Sequence, residues 1–122
     1  MTGGQSLWQV RLADAAEDDF REIVHWTAQQ FGKTQTRTYA QILSSALADL
    51  ADGPSAAGAR TRDDIAKGLF TLHVARKGRR GRHFILFRAA REGDQQIIEV
   101  LRILHDAMDL ARYAPPEQDR YF

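Results

Sequence analysis

Between Gly53-Pro54 and Gly68 the spacing of the apolar residues changes, and no other feature constrains the fold as much. Before that point the stripe residues recur at threes and fours: Ala16, Phe20, Ile23, Val24, Thr27 and Phe31, then Tyr39, Ile42, Leu43, Ala46 and Leu50. A period near 3.6 places each set on one face of a helix. After it, "GLFTLHVAR", "RHFILFRAAR" and "QQIIEVLRIL" alternate with a period of two, which gives three strands. "KGRRG" and "EGDQ" are turn sequences, and strands joined so briefly pair antiparallel. "LWQVRL" near the start is a further short strand. Gly32 breaks the helical pattern and Gly53-Pro54 ends it, so two helices joined by a short link lie antiparallel. The expected architecture is α+β in the order β-α-α-β-β-β. A helical hairpin covers one face of a mainly antiparallel four-stranded sheet.

A chain of 122 residues fits one domain, taken as 7–112, with 1–6 and 113–122 as flexible tails. Pro115-Pro116 stops any helix begun at Asp109. The absence of cysteine removes disulfides, a thiolate nucleophile and thiolate metal ligands. No run approaches the ~18 apolar residues of a membrane span. The first residues lack the basic and apolar regions of a signal peptide, so a cytoplasmic location is expected. The net charge of +1 conceals an asymmetry: residues 60–91 hold ten basic and two acidic side chains, and the flanking segments are acidic. That concentration favours an anionic partner.

Asp14, with Glu17 three residues on, has the spacing of a capping box. Asp18, Asp19 and Glu22 belong to the same helix start, where the dipole favours carboxylates. Arg76, Lys77, Arg79, Arg80 and Arg82 crowd one hairpin tip, and guanidinium forks there suit carboxylates or phosphates. These five are the candidate partner-binding residues. His25 is expected at the surface. His73 and His83 fall on adjacent strands, with the His83 ring placed to bond a backbone group, and they make no zinc set. Neither a metal nor a cofactor is expected. Ser6, Ser44, Ser45 and Ser55 assemble no triad. His105-Asp106 resembles a catalytic dyad, but adjacent strand residues face opposite ways, so Asp106 does not orient His105. Asp106 or Asp109 instead suits the cap of a following turn.

Four blocks resemble a known family. "LADAAEDDFREI" is similar to its opening helix through Leu12, Ala15, Ala16, Asp19, Phe20 and Ile23. Leu50, Pro54 and Gly58 echo the motif after the second helix. "RHFILFR" resembles a strand motif through His83, Ile85 and Arg88. "VLRILHDAMDL" resembles the closing signature through Leu101, Arg102, Leu104, His105, Met108 and Asp109. Together they resemble the ParE branch of the ParE/RelE superfamily of type II toxin–antitoxin modules.

The resemblance implies a small toxin that poisons DNA gyrase. A ParD-like antitoxin of the ribbon-helix-helix type would neutralise it in a hetero-oligomer. RelE-branch relatives instead cut mRNA on the ribosome, and that activity here would need His105, Arg88, Arg102 and Lys67 to converge. A third reading is a non-toxic relative that keeps its antitoxin. The chain departs from the family pattern at Phe87, where tyrosine is usual, and in its longer, more basic hairpin. On this reading His105 is structural, and Met108 and Asp109 fix the turn after the last strand.

Overall fold

In the structure, a computed structural model describing residues 7–113, the first alternating run forms β1 (Gln9–Leu12). Of the expected tails 1–6 and 113–122, Tyr113 ends a 3-10 turn and the rest lies outside the described residues. A 36-residue helical element, α1 (Asp14–Asp49), follows directly. The capping box does not form: Ala13 occupies the cap position without a side-chain bond, and Asp14 already lies in the first turn. The cause is the sheet. The Ala13 N–H donates to the Val100 carbonyl at 2.8 Å, so the single residue between ladder and helix is Ala13, whose side chain cannot cap.

The expected pair of helices is one helical element interrupted at a single residue. Gly32 has φ 84° and ψ −178°, a conformation that side-chain-bearing residues avoid. A straight helix of this length would span about 54 Å. Yet the carbonyl of Ala51, just past its end, accepts from the N–H of Trp8 at 2.9 Å. The break at Gly32 therefore folds α1 back on itself, with no linker. A short 3-10 turn (Leu50–Asp52) and Gly53 close the helical part.

The sheet has five strands rather than four, in the order β1-β5-β4-β3-β2. The additional strand, β2 (Arg60–Thr61), lies between Gly53-Pro54 and Gly68, where no strand was expected. Two polar edge residues carry no hydrophobic signal, so alternation cannot reveal them. β3 (Leu69–His73), β4 (His83–Glu92) and β5 (Gln95–His105) pair antiparallel, and β1 pairs parallel with β5. Opposite Leu86 and Phe87 the partners jump from Arg102 to Val100, leaving Leu101 as a bulge. The bulge moves the inward face of β5 from Ile98 and Val100 to Ile103 and His105.

Ala16, Leu43 and Ala46 from α1 and Leu50 from the 3-10 turn pack on Leu72, Ile85, Phe87, Ile98, Val100 and Ile103 from the sheet and on Val74 just past β3. Phe87 is fully buried and stacks on Phe70 with ring centroids 5.4 Å apart. A tyrosine there would bring a hydroxyl into an apolar core, so phenylalanine suits the position. Beyond Leu12 the β1 side of β5 has no strand partner, and Asp19 takes over. Its carboxylate accepts from the Ile103 N–H at 2.9 Å and from two nitrogens of Arg102 at 2.8 Å. A helical side chain thus continues the hydrogen bonding where the edge strand stops.

Candidate functional site

The β3–β4 hairpin brings its cations together, and most of them meet a carboxylate of the same chain. Asp49, at the end of α1, accepts from Arg79 at 2.8 Å, Lys77 at 3.2 Å and Arg76 at 3.3 Å. The last helical turn has no basic residue of its own, so these three supply the positive charge that the helix end favours. Burial alone would raise the Asp49 carboxyl. Hydrogen bonds from Arg79 and Lys77, with their charges, outweigh it and hold the group below its ordinary value. Arg82 reaches Asp106 at 3.4 Å. Arg80 is exposed and has no partner among the described residues. The tip presents less free charge than its sequence suggests, with Lys77, Arg80 and Arg82 as its exposed cations.

At the same end of the sheet the histidines divide between the two faces. On the α1 side the Tyr39 oxygen accepts the Arg82 backbone N–H at 3.0 Å, and its hydroxyl shares a hydrogen bond with His83 Nδ1 at 2.6 Å. The partner of the His83 ring is therefore a side-chain hydroxyl, not a backbone group. His105 faces the same way, its ring 5.5 Å from that of His83. His73 and His83 do not meet. His73 points to the outer face, set edge-on to Phe84, and its Nε2 donates to Asp106 Oδ2 at 2.9 Å. Asp106 lies 3.6 Å from His105 Nδ1, beyond hydrogen-bond reach, and that nitrogen accepts from Ala107 N–H at 3.1 Å. The Asp106 side chain is committed to His73 and Arg82 rather than to capping the exit turn.

Burial, followed by the nearby His105 charge, lowers His83 to about 4. The ring is neutral in the fold, while an unfolded chain takes up the proton near pH 6.5. The unfolded state thus binds more protons between those values, and stability falls as pH drops from about 6.5 to 4. Denaturant midpoints measured across that range should decline for the parent and flatten for His83→Gln. A slope unchanged by the substitution would assign the effect elsewhere. Asp106, lowered first by the His73 hydrogen bond, and Asp49 act in a separate window. Their contributions are present above pH 3.8 and are lost as pH falls through their lower folded values.

Between the two limbs of α1 and this end of the sheet runs a groove of about 570 Å³. Ile23, Trp26, Phe31 and Tyr39 line its apolar side, and His83 and His105 line its floor. Trp26 is 56% exposed and Phe31 61%, and the two rings touch edge to face at 5.8 Å. The sequence placed Phe31 on the inward stripe. The structure turns it out because the Gly32 break redirects the chain at that point. A stripe count cannot show where such a redirection falls.

The four residues of the RNA-cutting alternative do not come together. Arg88 pairs with Glu99 at 2.7 Å on the outer face. Arg102 is held by Asp19, and His105 faces the α1 groove. Lys67 is an exposed residue of the turn before β3. Of the closing-signature residues, Leu104 is buried, Met108 is exposed with its N–H on the His105 carbonyl, and Asp109 is exposed ahead of the 3-10 turn Leu110–Tyr113.

Residues 10–110 match the family model described as ParE toxin of type II toxin-antitoxin system, parDE. The toxin ParE of Escherichia coli is 31% identical over 99 residues, covering 81% of this chain and 85% of that protein. A solved structure described as the chromosomal ParDE TA system from P. aeruginosa superposes with TM-score 0.62 at 18% identity, covering 83% of this chain and 98% of that one. A YoeB/ParE toxin from Agrobacterium tumefaciens gives 0.53 at 14% identity, covering 80% and 96%.

Proposed function

Because the chain belongs to the ParE toxin family of type II toxin–antitoxin systems, we propose that it inhibits DNA gyrase by binding and is neutralised in the cytoplasm by a ParD-like antitoxin. The observation that carries the mechanism is the dispersal of Arg88, Arg102, His105 and Lys67 over different faces of the molecule. RNA cleavage needs a base, an acid and charge stabilisation around one reacting bond. Inhibition by binding needs only exposed anchors and complementary charge.

The groove with Trp26 and Phe31 offers aromatic anchors to an antitoxin segment. Arg80, with the exposed Lys77 and Arg82 beside it, offers charge to an acidic one. No described helix is long and apolar enough to cross a membrane.

Induced expression without antitoxin should arrest growth with filamentation and DNA-damage signalling while translation continues. His105→Ala should leave that arrest in place. An early stop in translation with cleaved mRNA would replace this reading with the ribonuclease one. Growth without arrest, in a protein that still binds its antitoxin, would identify a relative that has lost toxicity.

A further inference from the structure

The face of the sheet turned away from α1 carries a furrow of two adjoining cavities, about 500 and 370 Å³, with Arg62 and Phe84 in both walls. Register builds the larger one. Arg60 lies opposite Thr71 across β2–β3, and the Arg62 N–H bonds the Leu69 carbonyl one pair further on. Alternate residues share a face, so Arg60, Arg62, Thr71 and His73 stand together on this one, and Arg76 joins them.

The two cavities differ in charge. Among the described residues the larger is lined by three arginines and no carboxylate. Arg62 is answered by Asp64 and Arg76 by Asp49, but Arg60 is exposed and has no partner among the described residues. The smaller is edged by Asp64, Asp106 and Asp109; Arg62 answers the first of these, and His73 with Arg82 the second. An acidic group is therefore attracted to the larger cavity and repelled from the smaller.

The chain itself supplies a segment with that order of charge. Leu110 lines the smaller cavity and begins the 3-10 turn that ends at Tyr113, so residues 114–122 start one turn from the wall of the furrow. Their sequence is "APPEQDRYF". Ala114, Pro115 and Pro116 carry no charge and suit the carboxylate-edged cavity, and Glu117 and Asp119 follow them. Two prolines favour the extended polyproline form, whose rise of about 3.1 Å per residue brings Glu117 roughly 12 Å beyond Tyr113. Past the prolines an extended chain sets residues 117 and 119 on one face and Arg120 on the other. Both carboxylates can then meet arginines while the cation of the segment turns to water.

We propose that residues 114–122 dock in this furrow of their own chain, with Pro115-Pro116 across the smaller cavity, Glu117 on Arg62 and Asp119 on Arg60. The segment acts as a strap. It closes the outer face of the sheet to another acidic molecule until that molecule displaces it.

The absence of cysteine makes the test direct. Arg120→Cys in the full chain carries a single nitroxide label, whose effect on backbone amide signals reports where the segment lies. Amides of Arg60, Thr71 and Phe84 should be broadened several-fold more than those of Trp26 and Phe31 in the α1 groove. The difference should fall steeply at 1 M salt, where the screening length is ~3 Å. Arg60→Glu should abolish it, and adding Asp119→Arg to that variant should restore most of it, a rescue that damage to the fold would not permit.

Equal broadening of the furrow and the α1 groove would overturn the strap, as would broadening centred on Trp26 and Phe31. Broadening indifferent to Arg60→Glu would overturn the ion pairing on which it rests. An isotope-enriched chain without label, mixed with the labelled one, should stay sharp; broadening there would assign the contact to a second copy instead. None of these outcomes bears on gyrase, so failure here leaves the proposed toxin function standing.

Discussion

Gly53→Ala should lower the unfolding free energy by about 4 kcal/mol, a large fraction of the ~5–15 kcal/mol typical of a small domain. Gly53 has φ 86° and ψ −167°, a region that costs roughly 1–3 kcal/mol for residues with a side chain. A Cβ at this position would also lie 2.7 Å from Trp8 Cδ1 and 2.8 Å from Cε2. Trp8 cannot simply move aside, because its N–H is bonded to Ala51 and its ring packs on the core at the entry to β1. Overpacking of that kind typically adds 1–3 kcal/mol. Gly32 provides the internal control. Its backbone is nearly the same, φ 84° and ψ −178°, but a Cβ there meets nothing within 4 Å. Urea unfolding of Gly32→Ala should therefore show only the conformational cost, roughly 1–3 kcal/mol. Equal losses in the two variants would mean that the approach of Trp8 to Gly53 does not matter.

Asp19→Ala should cost about 3 kcal/mol and lower the melting temperature by about 10 °C. The side chain is 11% exposed and fills two roles for β5: it accepts two guanidinium N–H bonds from Arg102 and satisfies the Ile103 N–H. Truncation removes the carboxylate from Arg102 and leaves the Ile103 N–H without its acceptor at the sheet edge, which costs more than the net worth of the bonds removed. Asp18, one residue earlier, pairs with Arg21 on the surface, and Asp18→Ala should stay within about 0.5 kcal/mol of the parent. A loss at Asp19 no larger than that at Asp18 would remove its role in holding the sheet edge.

The periodicities revealed what depends on repetition. The change from 3.6 to 2 located the helical part and β3, β4 and β5, and glycine marked the reversal at residue 32. Features made by single contacts between distant residues left no such trace. Asp19 read as one of several helix-start carboxylates, since nothing local marks it as the one that meets Ile103. Asp49 likewise gave no sign that it would gather Arg76, Lys77 and Arg79, which made the hairpin look like a free cationic patch. The argument against a His105-Asp106 dyad rested on strand alternation, but Asp106 lies past the end of β5; what separates the two is a distance of 3.6 Å, too long for a hydrogen bond. The pairing of Tyr39 with His83 spans 44 positions and is set by the whole fold.

The position of β5 also governs when this molecule can come into being. It is the last strand in sequence but lies between β1 and β4, so the first strand has no neighbour until the last is present. Gln9 waits for Ile97 and Leu12 for Val100, while Asp19 waits for Ile103. During synthesis at roughly 5–20 residues per second, the helical limbs and the β3–β4 hairpin leave the ribosome with β1 still unpaired. Contacts so remote in sequence are slow to close and come late in folding. For a member of a toxin family, assembly is thereby deferred until nearly all of the chain has been made.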